Sequence, residues 1–523
     1  MRFPRGNPSQ TNKDVPIATG GWGKLHGGFE PGDLWLGRTE EDVAVGYNDD
    51  RHVVTVAGSR AGKGRSCIIP NLCVWPESCV VIDPKGENAY HTATNRSELG
   101  HSVFVLDPFD ASGVPNDLRG TFNPLDLIDE KSPDALDEAS LIADAIVVSA
   151  DSRDAHWDES ARAFIEALIL FVCSRHQDER DKRNLVQVRM LLTQGATDIA
   201  LQMRLLAEKN GQKLQEDKID PFGILLNEME HCEAFGGVIS GAAALLKQVG
   251  DRERGSILST ARRNTKFLDS PAMRKSLIWS NFELDSLKTS EKPVSLYLCL
   301  PARRLASHAR WLRMFLNLAF SRMEAIGKRT DGKPVLFVLD EFAVLGHMAC
   351  LEKAAGLMAG YGVKLWTILQ DLTQLQRHYE GSWETFLGNA GLLQFFGNTD
   401  LTTLKHISDR LGEVEIIRNL ESSSQNVQRG SSEMPELQQL SARQKEGILG
   451  AFAKSETKSE SASYSQNLSE NIQRSPLLTP EEVGRYFARS GGWQVLFLAG
   501  SRPVALKRTN YDDDPAFKNL FRP

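Results

Sequence analysis

The residues best suited to chemistry lie in a loop of small side chains that follows the apolar run HVVTVA at positions 52–57. Small residues allow the backbone N–H groups of such a loop to turn toward an anion. Lys63 would then place its ammonium group against the β- and γ-phosphates of a nucleotide. The pattern predicts an ATP-binding loop between a strand and a helix whose positive end faces the phosphates. We assign nucleotide binding to Gly58, Ser59, Arg60, Ala61, Gly62, Lys63, Gly64, Arg65 and Ser66.

The loop departs from the common GxxxxGK[ST] pattern at two positions. Ala57 stands at the leading glycine, and Gly64 stands where a hydroxyl normally ligates magnesium. Ser66 lies half a helical turn further along, so either its hydroxyl or a water molecule would have to fill that place. Taken alone, the loop is also compatible with a structural turn before a helix.

A pair of acids completes the predicted site. Asp340 and Glu341 follow the apolar run VLFVL at 335–339, which is typical of a buried parallel strand. Ligands of open α/β sheets collect at the carboxyl ends of the strands, which would bring these acids beside Lys63. We expect Asp340 to hold Mg²⁺ through water and Glu341 to deprotonate the attacking water. A solvated pair of acids at a strand end is the alternative, which the upstream Lys63 disfavours.

The alternation of strands and helices predicts an α/β fold with a mainly parallel, doubly wound sheet. Further strands are indicated at 78–83, 102–106, 294–300, 363–369 and 392–396, with a closing pair at 493–498 and 504–508. The polar residues that end the parallel strands should share an edge of the sheet with Lys63. Gln370 is well placed there to respond to the γ-phosphate. Lys85 and Glu87 are as compatible with a capping turn as with the site.

Residues 130–290 lose strand character and show helical periodicity, with an apolar stripe that begins at Trp157. We predict an all-α domain there, inserted into a nucleotide-binding domain formed by 46–129 and 291–523, after an extended lead-in at 1–45. Basic residues crowd one span of this block and form either a solvated helical face or a phosphate-contacting surface. They are Arg252, Arg254, Arg262, Arg263 and Lys266.

Residues 421–475 are rich in serine and other polar residues, a composition that does not support a hydrophobic core. We expect an exposed or mobile segment there, with one short helix around 436–453. A helix capped by Thr479 should follow, because Pro480 stands in its first turn.

The amino-acid composition limits the classes of function that this chain could have. The net charge of −7 and the pI near 6.0 exclude a uniformly basic nucleic-acid coat but not a local basic patch. The seven cysteines have no metal-ligand spacing, which indicates buried free thiols in a reducing compartment. The longest apolar block, 164–173, is about half the length that a bilayer requires. We therefore expect no membrane-spanning segment in this chain.

These motifs, in this order, resemble the coupling-protein ATPases of bacterial type IV secretion and conjugative DNA transfer. The resemblance covers nearly the whole chain from about Gly20 onward, and the AGKG form of the loop is similar to the family's usual variant. It is carried by AGSRAGKGRSCIIPNL, VVIDPKGE, WDESARAFIEAL, GSILSTARRNTKFL, VLFVLDEFAVLG, LQDLTQL and LLTPEEV.

The resemblance implies a RecA-like P-loop domain, an all-α domain that reads substrate, and a homo-hexamer. It implies ATP hydrolysis with Mg²⁺ that drives single-stranded DNA with attached relaxase, effector proteins, or both, into a secretion channel at the cytoplasmic face of the inner membrane. Channel proteins would be partners, and effector or adaptor proteins would bind the all-α domain. Family members normally begin with membrane-spanning helices, so the resemblance implies either the cytoplasmic portion of such a protein or a membrane-free relative.

By resemblance, Lys63, Asp340, Glu341 and Gln370 inherit the roles argued above. An arginine supplied in trans would stabilise the transition state, with Arg410 as the first candidate and Arg377 as the second.

Two functions from different classes stay open at this point. The first is a DNA-stimulated motor that pumps single-stranded DNA. The second is a receptor platform that binds protein substrates and adaptors without pumping, with nucleotide setting its assembly state. The negative net charge favours the platform, and the resemblance favours the motor.

Overall fold

The computed structural model of the chain describes residues 21–23, 28–148, 155–209, 220–329, 331, 333–422 and 467–522. The strands are β1 Leu34–Arg38, β2 Ala44–Tyr47, β3 His52–Ala57, β4 Cys79–Asp83, β5 Ser102–Leu106, β6 Val294–Cys299, β7 Val335–Leu339, β8 Val363–Leu369, β9 Ala390–Phe396, β10 Glu413–Ser422, β11 Asn467–Pro476, β12 Trp493–Leu498 and β13 Val504–Lys507.

The helices before β6 are α1 Ile69–Val74, α2 Glu87–Glu98, α3 Ala135–Ile146, α4 Ala155–Arg175, α5 Leu185–Gln194, α6 Thr197–Lys209, α7 Pro221–Glu230, α8 Val238–Gln248, α9 Asp251–Asn264, α10 Pro271–Ser276 and α11 Ser286–Thr289. Those after it are α12 Ala302–Ile326, α13 Ala349–Leu357, α14 Leu372–His378, α15 Trp383–Gly388, α16 Leu401–Leu411 and α17 Pro480–Tyr486.

One large sheet organises the molecule, with the strand order β2-β1-β13-β12-β9-β3-β8-β7-β4-β6-β5. The run from β9 to β5 is parallel, and β12, β13, β1 and β2 continue it as an antiparallel edge. Every residue of β3, β4, β6, β7, β8 and β9 is buried, because helices cover both faces of a parallel sheet. The α/β fold with a mainly parallel sheet is therefore confirmed, and the predicted lead-in contributes an edge of that sheet.

The strand order explains how distant motifs meet. β8 lies between β3 and β7, so Val56 of β3 pairs with Leu369 of β8, and Leu339 of β7 pairs with Thr367 of β8. Because these strands are parallel, their carboxyl ends reach the same edge of the sheet. The loop after β3, the acids after β7 and the amide after β8 are thus brought together.

The chain between β5 and β6 contains helices and, within the described residues, adds no strand to the sheet. Its helices pack on one another and, through α3, on α12. One continuous hydrophobic core joins this block to the sheet, since Leu168 of α4 and Leu339 of β7 belong to the same cluster of buried residues. Aromatic contacts add to that core, with the Phe122 and Phe315 rings 5.3 Å apart at a steep angle. The boundaries predicted for a separate all-α domain remain a prediction.

The ends of the predicted exposed segment belong to two paired strands. β10 and β11 pair antiparallel from Glu413 opposite Pro476 to Ser422 opposite Asn467, which forms a separate two-stranded ribbon. The expectation of an exposed extended or mobile segment over 421–475 stays a prediction, and its two ends lie in the extended strands of this ribbon. A two-stranded ribbon satisfies backbone hydrogen bonds between its own strands and needs no contribution to the main core. The short helix predicted around 436–453 lies outside the described residues.

Candidate functional site

The Lys63 ammonium group lies between the two predicted acids. Its Nζ atom is 3.0 Å from Oδ1 of Asp340 and 2.9 Å from Oε1 of Glu341. Lys63 follows β3 and the acids follow β7, so their meeting results from the parallel arrangement of the sheet. The amide of Gln370, directly after β8, donates from Nε2 to Oε2 of Glu341 over 3.1 Å. Four of the predicted site residues therefore form one constellation.

The loop around Lys63 needs small residues for steric reasons. A side chain at Gly58 would place its Cβ atom 1.9 Å from the carbonyl oxygen of Gly397, and Gly62 has a φ of +92°, which favours glycine. Gly64 opens into free space, since a Cβ atom there would meet nothing within 4 Å. A helical turn over 64–68 with i→i+5 hydrogen bonding then leads into α1. Such π-helical turns are frequent at functional sites.

The remaining predicted loop residues have different surroundings. Ser66 is buried, and its Oγ atom donates to the carbonyl of Gly62 over 2.9 Å. Arg60 is exposed and has a positive φ of 56°. Arg65 is directed to the C-terminal segment, where its guanidinium pairs with Asp512 and Asp513. The hydroxyl missing at position 64 is thus not replaced by a free serine side chain.

Glu341 adopts a backbone conformation that is uncommon for a residue with a side chain. Its φ and ψ are 57° and 43°, in the left-handed region, and its amide donates to Oδ1 of Asp340 over 3.0 Å. Such strained residues cluster at functional sites. The conformation turns the chain sharply at the end of β7 and leaves Lys63 in contact with both carboxylates.

Charge and burial act against each other within the constellation. Burial disfavours the ammonium of Lys63, but the carboxylates of Asp340 and Glu341 outweigh it and raise the pKa of Lys63. Burial raises the pKa of Asp340 despite the nearby ammonium. For Glu341, burial also acts to raise the pKa, but Lys63 and Gln370 outweigh it and the pKa is lowered. The surroundings therefore favour the charged carboxylate more strongly at Glu341 than at Asp340.

A further acid at this edge, Asp83, was not assigned to the site from sequence. It ends β4, is fully buried, and accepts the Ala89 amide at 2.8 Å. Burial, with a contribution from the charge of Asp340, raises its pKa to about 7. The signal was available, since Asp83 closes a buried strand just as Asp340 follows one. Of the uncertain neighbours, Lys85 acts on the site through its charge, which lowers the pKa of Glu341.

The donor set fits a nucleotide-bound Mg²⁺ rather than a self-contained metal site. The described residues contain no group of three or more His, Cys, Asp or Glu side chains that could hold a metal ion. Mg²⁺ is commonly bound by one or two carboxylates together with substrate phosphates and water. Asp340 offers such a carboxylate beside the loop.

Neither candidate arginine contacts this constellation within its own chain. Arg410 is exposed on α16, with Cζ 5.8 Å from the ring centroid of Phe497. Phe497 lies opposite Leu393 of β9, which in turn pairs with Val54 in the middle of β3. Arg410 therefore lies beside the middle of the sheet and not at the carboxyl edge that carries Lys63. Arg377 is exposed on α14 and lines a cleft of about 370 Å³ with neighbouring histidines. Their assignment to a neighbouring subunit's site remains a prediction.

The basic residues of α9 divide into two groups. Arg254 pairs with Asp251, and Arg262 donates to the Leu192 carbonyl over 3.1 Å. Arg263 lies 3.7 Å from Oδ1 of the buried Asp158. Arg252 and Arg263 also line a polar cleft of about 340 Å³, together with Trp157, Gly255, Ser256, Ser259 and Thr260. The crowded arginines are therefore partly structural and partly presented to solvent.

A side chain at Gly58 should destabilise the protein. Gly58→Ala should reduce the free energy of unfolding by about 1–3 kcal/mol, because the new methyl group overlaps the Gly397 carbonyl. Chemical denaturation of the unliganded protein measures this effect. Gly64→Ala is the matched control and should unfold close to the parental denaturant midpoint, since its Cβ atom meets open space. Equal midpoints for all three proteins would show that the loop is not sterically constrained at Gly58.

Comparison with known proteins identifies the family of this chain. A family model described as type IV secretory system conjugative DNA transfer matches residues 9–444. The chain belongs to this family. The resemblance inferred from the motifs is thereby confirmed, and the chain is a type IV secretion coupling protein. Its described helices include none long and apolar enough to cross a membrane.

Relatives within the coupling-protein family have low sequence identity to this chain but match most of its length. The conjugal transfer protein TraG of Escherichia coli is 24% identical over 97% of this chain and 73% of its own length. The coupling protein VirD4 of Bartonella quintana is 26% identical over 80% of this chain and 60% of its own length.

Solved structures of the conjugative coupling protein TrwB share the RecA-like P-loop fold. An unbound form lacking residues at its N terminus superposes with a TM-score of 0.58 over 92% of this chain and 91% of that chain, at 14% identity. A TrwB complex with ADP and Mg²⁺ gives 0.57 over 92% of both chains, at 13% identity. The fold class predicted from sequence is therefore correct for the family.

Proposed function

We propose that this coupling protein hydrolyses ATP and uses the energy to drive substrate into a bacterial type IV secretion channel. The observation that carries the proposal is the meeting of Lys63, Asp340, Glu341 and Gln370 at one edge of the sheet, beside a loop in which Gly58 has no room for a side chain. The fold that this chain shares with TrwB, which has been solved with ADP and Mg²⁺, also supports the proposal.

Each residue has a distinct part in this scheme. Lys63 would leave the carboxylates to contact the β- and γ-phosphates, and Asp340 would hold Mg²⁺ through water. Bound Mg²⁺ would neutralise charge on the phosphate oxygens. Glu341 would accept a proton from the attacking water through its carboxylate, which Gln370 orients. Gln370, which already donates to Glu341, would couple the state of that carboxylate to β8.

We propose single-stranded DNA with attached relaxase as substrate, effector proteins as a further cargo, and secretion-channel proteins as partners. Assembly as a homo-hexamer at the cytoplasmic face of the inner membrane would bring Arg410 or Arg377 of one subunit toward the site of the next. The exposure of both arginines supports a role between subunits.

A receptor platform that binds proteins without pumping DNA is the second candidate. It is favoured by exposed apolar side chains on α6, where Leu201, Met203, Leu205 and Leu206 are about half exposed or more. Large apolar side chains that remain exposed together are typical of protein-binding surfaces. This candidate expects ATP turnover that is indifferent to DNA.

Turnover measured with and without single-stranded DNA separates the two candidates. A motor should be stimulated, and its apparent DNA affinity should fall with salt by about 0.7 units of log-log slope per neutralised phosphate. Unchanged turnover at saturating DNA would favour the platform.

The cleft on α9 offers a sharper form of the same test. If Arg252 and Arg263 contact phosphates, the double substitution to glutamine should reduce the salt slope by about 1.4 units. Arg254→Gln is the matched control on the same helix, and it should leave the slope unchanged because Arg254 does not line the cleft. An unchanged slope in the double variant would identify the arginines as a solvated face.

A further inference from the structure

An arginine from the end of the sheet contacts the backbone of the phosphate loop. Arg508 directly follows β13, and its Nη1 atom donates to the carbonyl of Ala61 over 2.6 Å. Its Nη2 atom donates to the carbonyl of Arg489 over 3.0 Å. The guanidinium also lies over Phe396, with Cζ 4.5 Å from the ring centroid. The group is thus held from three directions, and one of them is the loop.

The contact with Ala61 determines the direction of the next amide. The peptide bond between Ala61 and Gly62 is planar and trans, so its C=O and N–H groups point in opposite directions. Holding the Ala61 oxygen toward Arg508 therefore turns the Gly62 N–H away from Arg508. Among the described residues, no acceptor forms a hydrogen bond with that N–H group. It is available to an anion.

The charge of Arg508 suits this task. A carbonyl oxygen carries partial negative charge and would repel a phosphate if the peptide plane were to turn over. A guanidinium donates two hydrogen bonds in a fixed planar geometry, which a single ammonium group does not reproduce. The Phe396 ring and the Arg489 carbonyl hold the guanidinium in this orientation.

The surrounding segment reinforces the link. The Arg508 amide donates to the Gly492 carbonyl over 2.7 Å, and the Tyr511 amide donates to the Arg65 carbonyl over 3.0 Å. Arg65 itself pairs with Asp512 at 2.7 Å. The C-terminal segment therefore contacts both the phosphate loop and the helical turn that follows it, through hydrogen bonds and an ion pair.

We propose that Arg508 is a positioning residue for nucleotide binding, which holds the Ala61 carbonyl so that the Gly62 amide faces the phosphates. The inference rests on the proposed ATPase function. Arg508 acts through the loop and does not touch the nucleotide.

The test compares Arg508→Gln and Arg508→Lys with the parent in steady-state ATP turnover and in binding of a fluorescent ATP analogue. Loss of a charge-assisted hydrogen bond should raise KM and Kd by about tenfold in Arg508→Gln. The kcat value should change by less than about threefold, because the reacting groups are untouched. Arg508→Lys keeps the charge but only one hydrogen bond, so it should show an intermediate rise.

Two controls make the outcome decisive. Arg274→Gln removes a guanidinium that donates to the Leu268 carbonyl in the helical block, and its KM should equal the parental value. Lys63→Ala tests the proposed function itself. An active Lys63→Ala variant would overturn that function, whereas an inactive one alongside a parental KM and Kd for Arg508→Gln would overturn only the inference.

A fall in kcat at constant KM and Kd would likewise overturn the role of Arg508. If Arg508→Gln does not show a cooperative thermal transition, Arg508→Lys decides the question by itself. A parental Kd in that variant would overturn the inference, and a raised Kd with a parental melting temperature would support it.

Discussion

Replacing Lys63 with alanine should reduce ATP turnover by a factor of about 100 to 1,000, the range found when one preorganised donor to a developing charge is removed. In the structure its ammonium group contacts both Asp340 and Glu341 within 3.0 Å, so it occupies the place where the loop meets the acids. Without it, the phosphate charge that builds up during transfer has no side-chain cation from this loop position. Steady-state phosphate release measures the loss.

A second lysine provides the control for this experiment. Lys353 on α13 pairs with Glu324 at the surface, and Lys353→Ala should retain parental turnover. Thermal melting of both variants checks that the fold is kept. Parental turnover in Lys63→Ala would show that the constellation is a structural ion pair, and the assignment of the loop to nucleotide would then be wrong.

Replacing Glu341 with glutamine should separate binding from chemistry. The amide keeps an oxygen that can accept from Gln370, but it cannot take a proton from water, so turnover should fall by about 100- to 10,000-fold. The affinity for ATP should stay within about threefold, because Lys63 would bind the phosphates rather than Glu341 in the complex. Single-turnover assays and equilibrium binding of an ATP analogue give the two numbers.

The neighbouring acid gives a contrast within the same turn of chain. Asp340→Asn should weaken nucleotide binding in the presence of Mg²⁺ and have less effect in its absence, since Asp340 is assigned to the metal. If Glu341→Gln instead abolishes binding, Glu341 supports the structure of the loop and is not the base.

Much of the site could be predicted because local pattern determined it. VLFVL at 335–339 is apolar at every position, which indicates a strand buried on both faces, and the structure has a strand with those bounds. Once two strands are known to be parallel, their carboxyl ends must share an edge. The approach of Lys63 to Asp340 and of Gln370 to Glu341 also requires β3, β8 and β7 to be neighbours, and the apolar pattern alone does not specify that order.

Other features depended on contacts that no local pattern encodes. Arg508 closes an unremarkable strand, and only the position of β13 in the antiparallel edge brings it to Ala61. Asp83 resembles many acids that cap helices, and its raised pKa depends on burial and on Asp340. The pairing of β10 with β11 was not predicted, because a long stretch of chain separates the two strands and no local pattern specifies which strands pair.

The order of strands in the sheet has a consequence for biosynthesis. β3 finds its partners only in β8 and β9, and the outer strand β1 joins the sheet through β13 near the end of the chain. At ordinary elongation rates of about 5–20 residues per second, β3, which is fully buried in the folded protein, waits on the order of tens of seconds for its neighbours to leave the ribosome. Its nascent form therefore presents an aggregation-prone edge, and high-yield expression should benefit from chaperones that shield early segments.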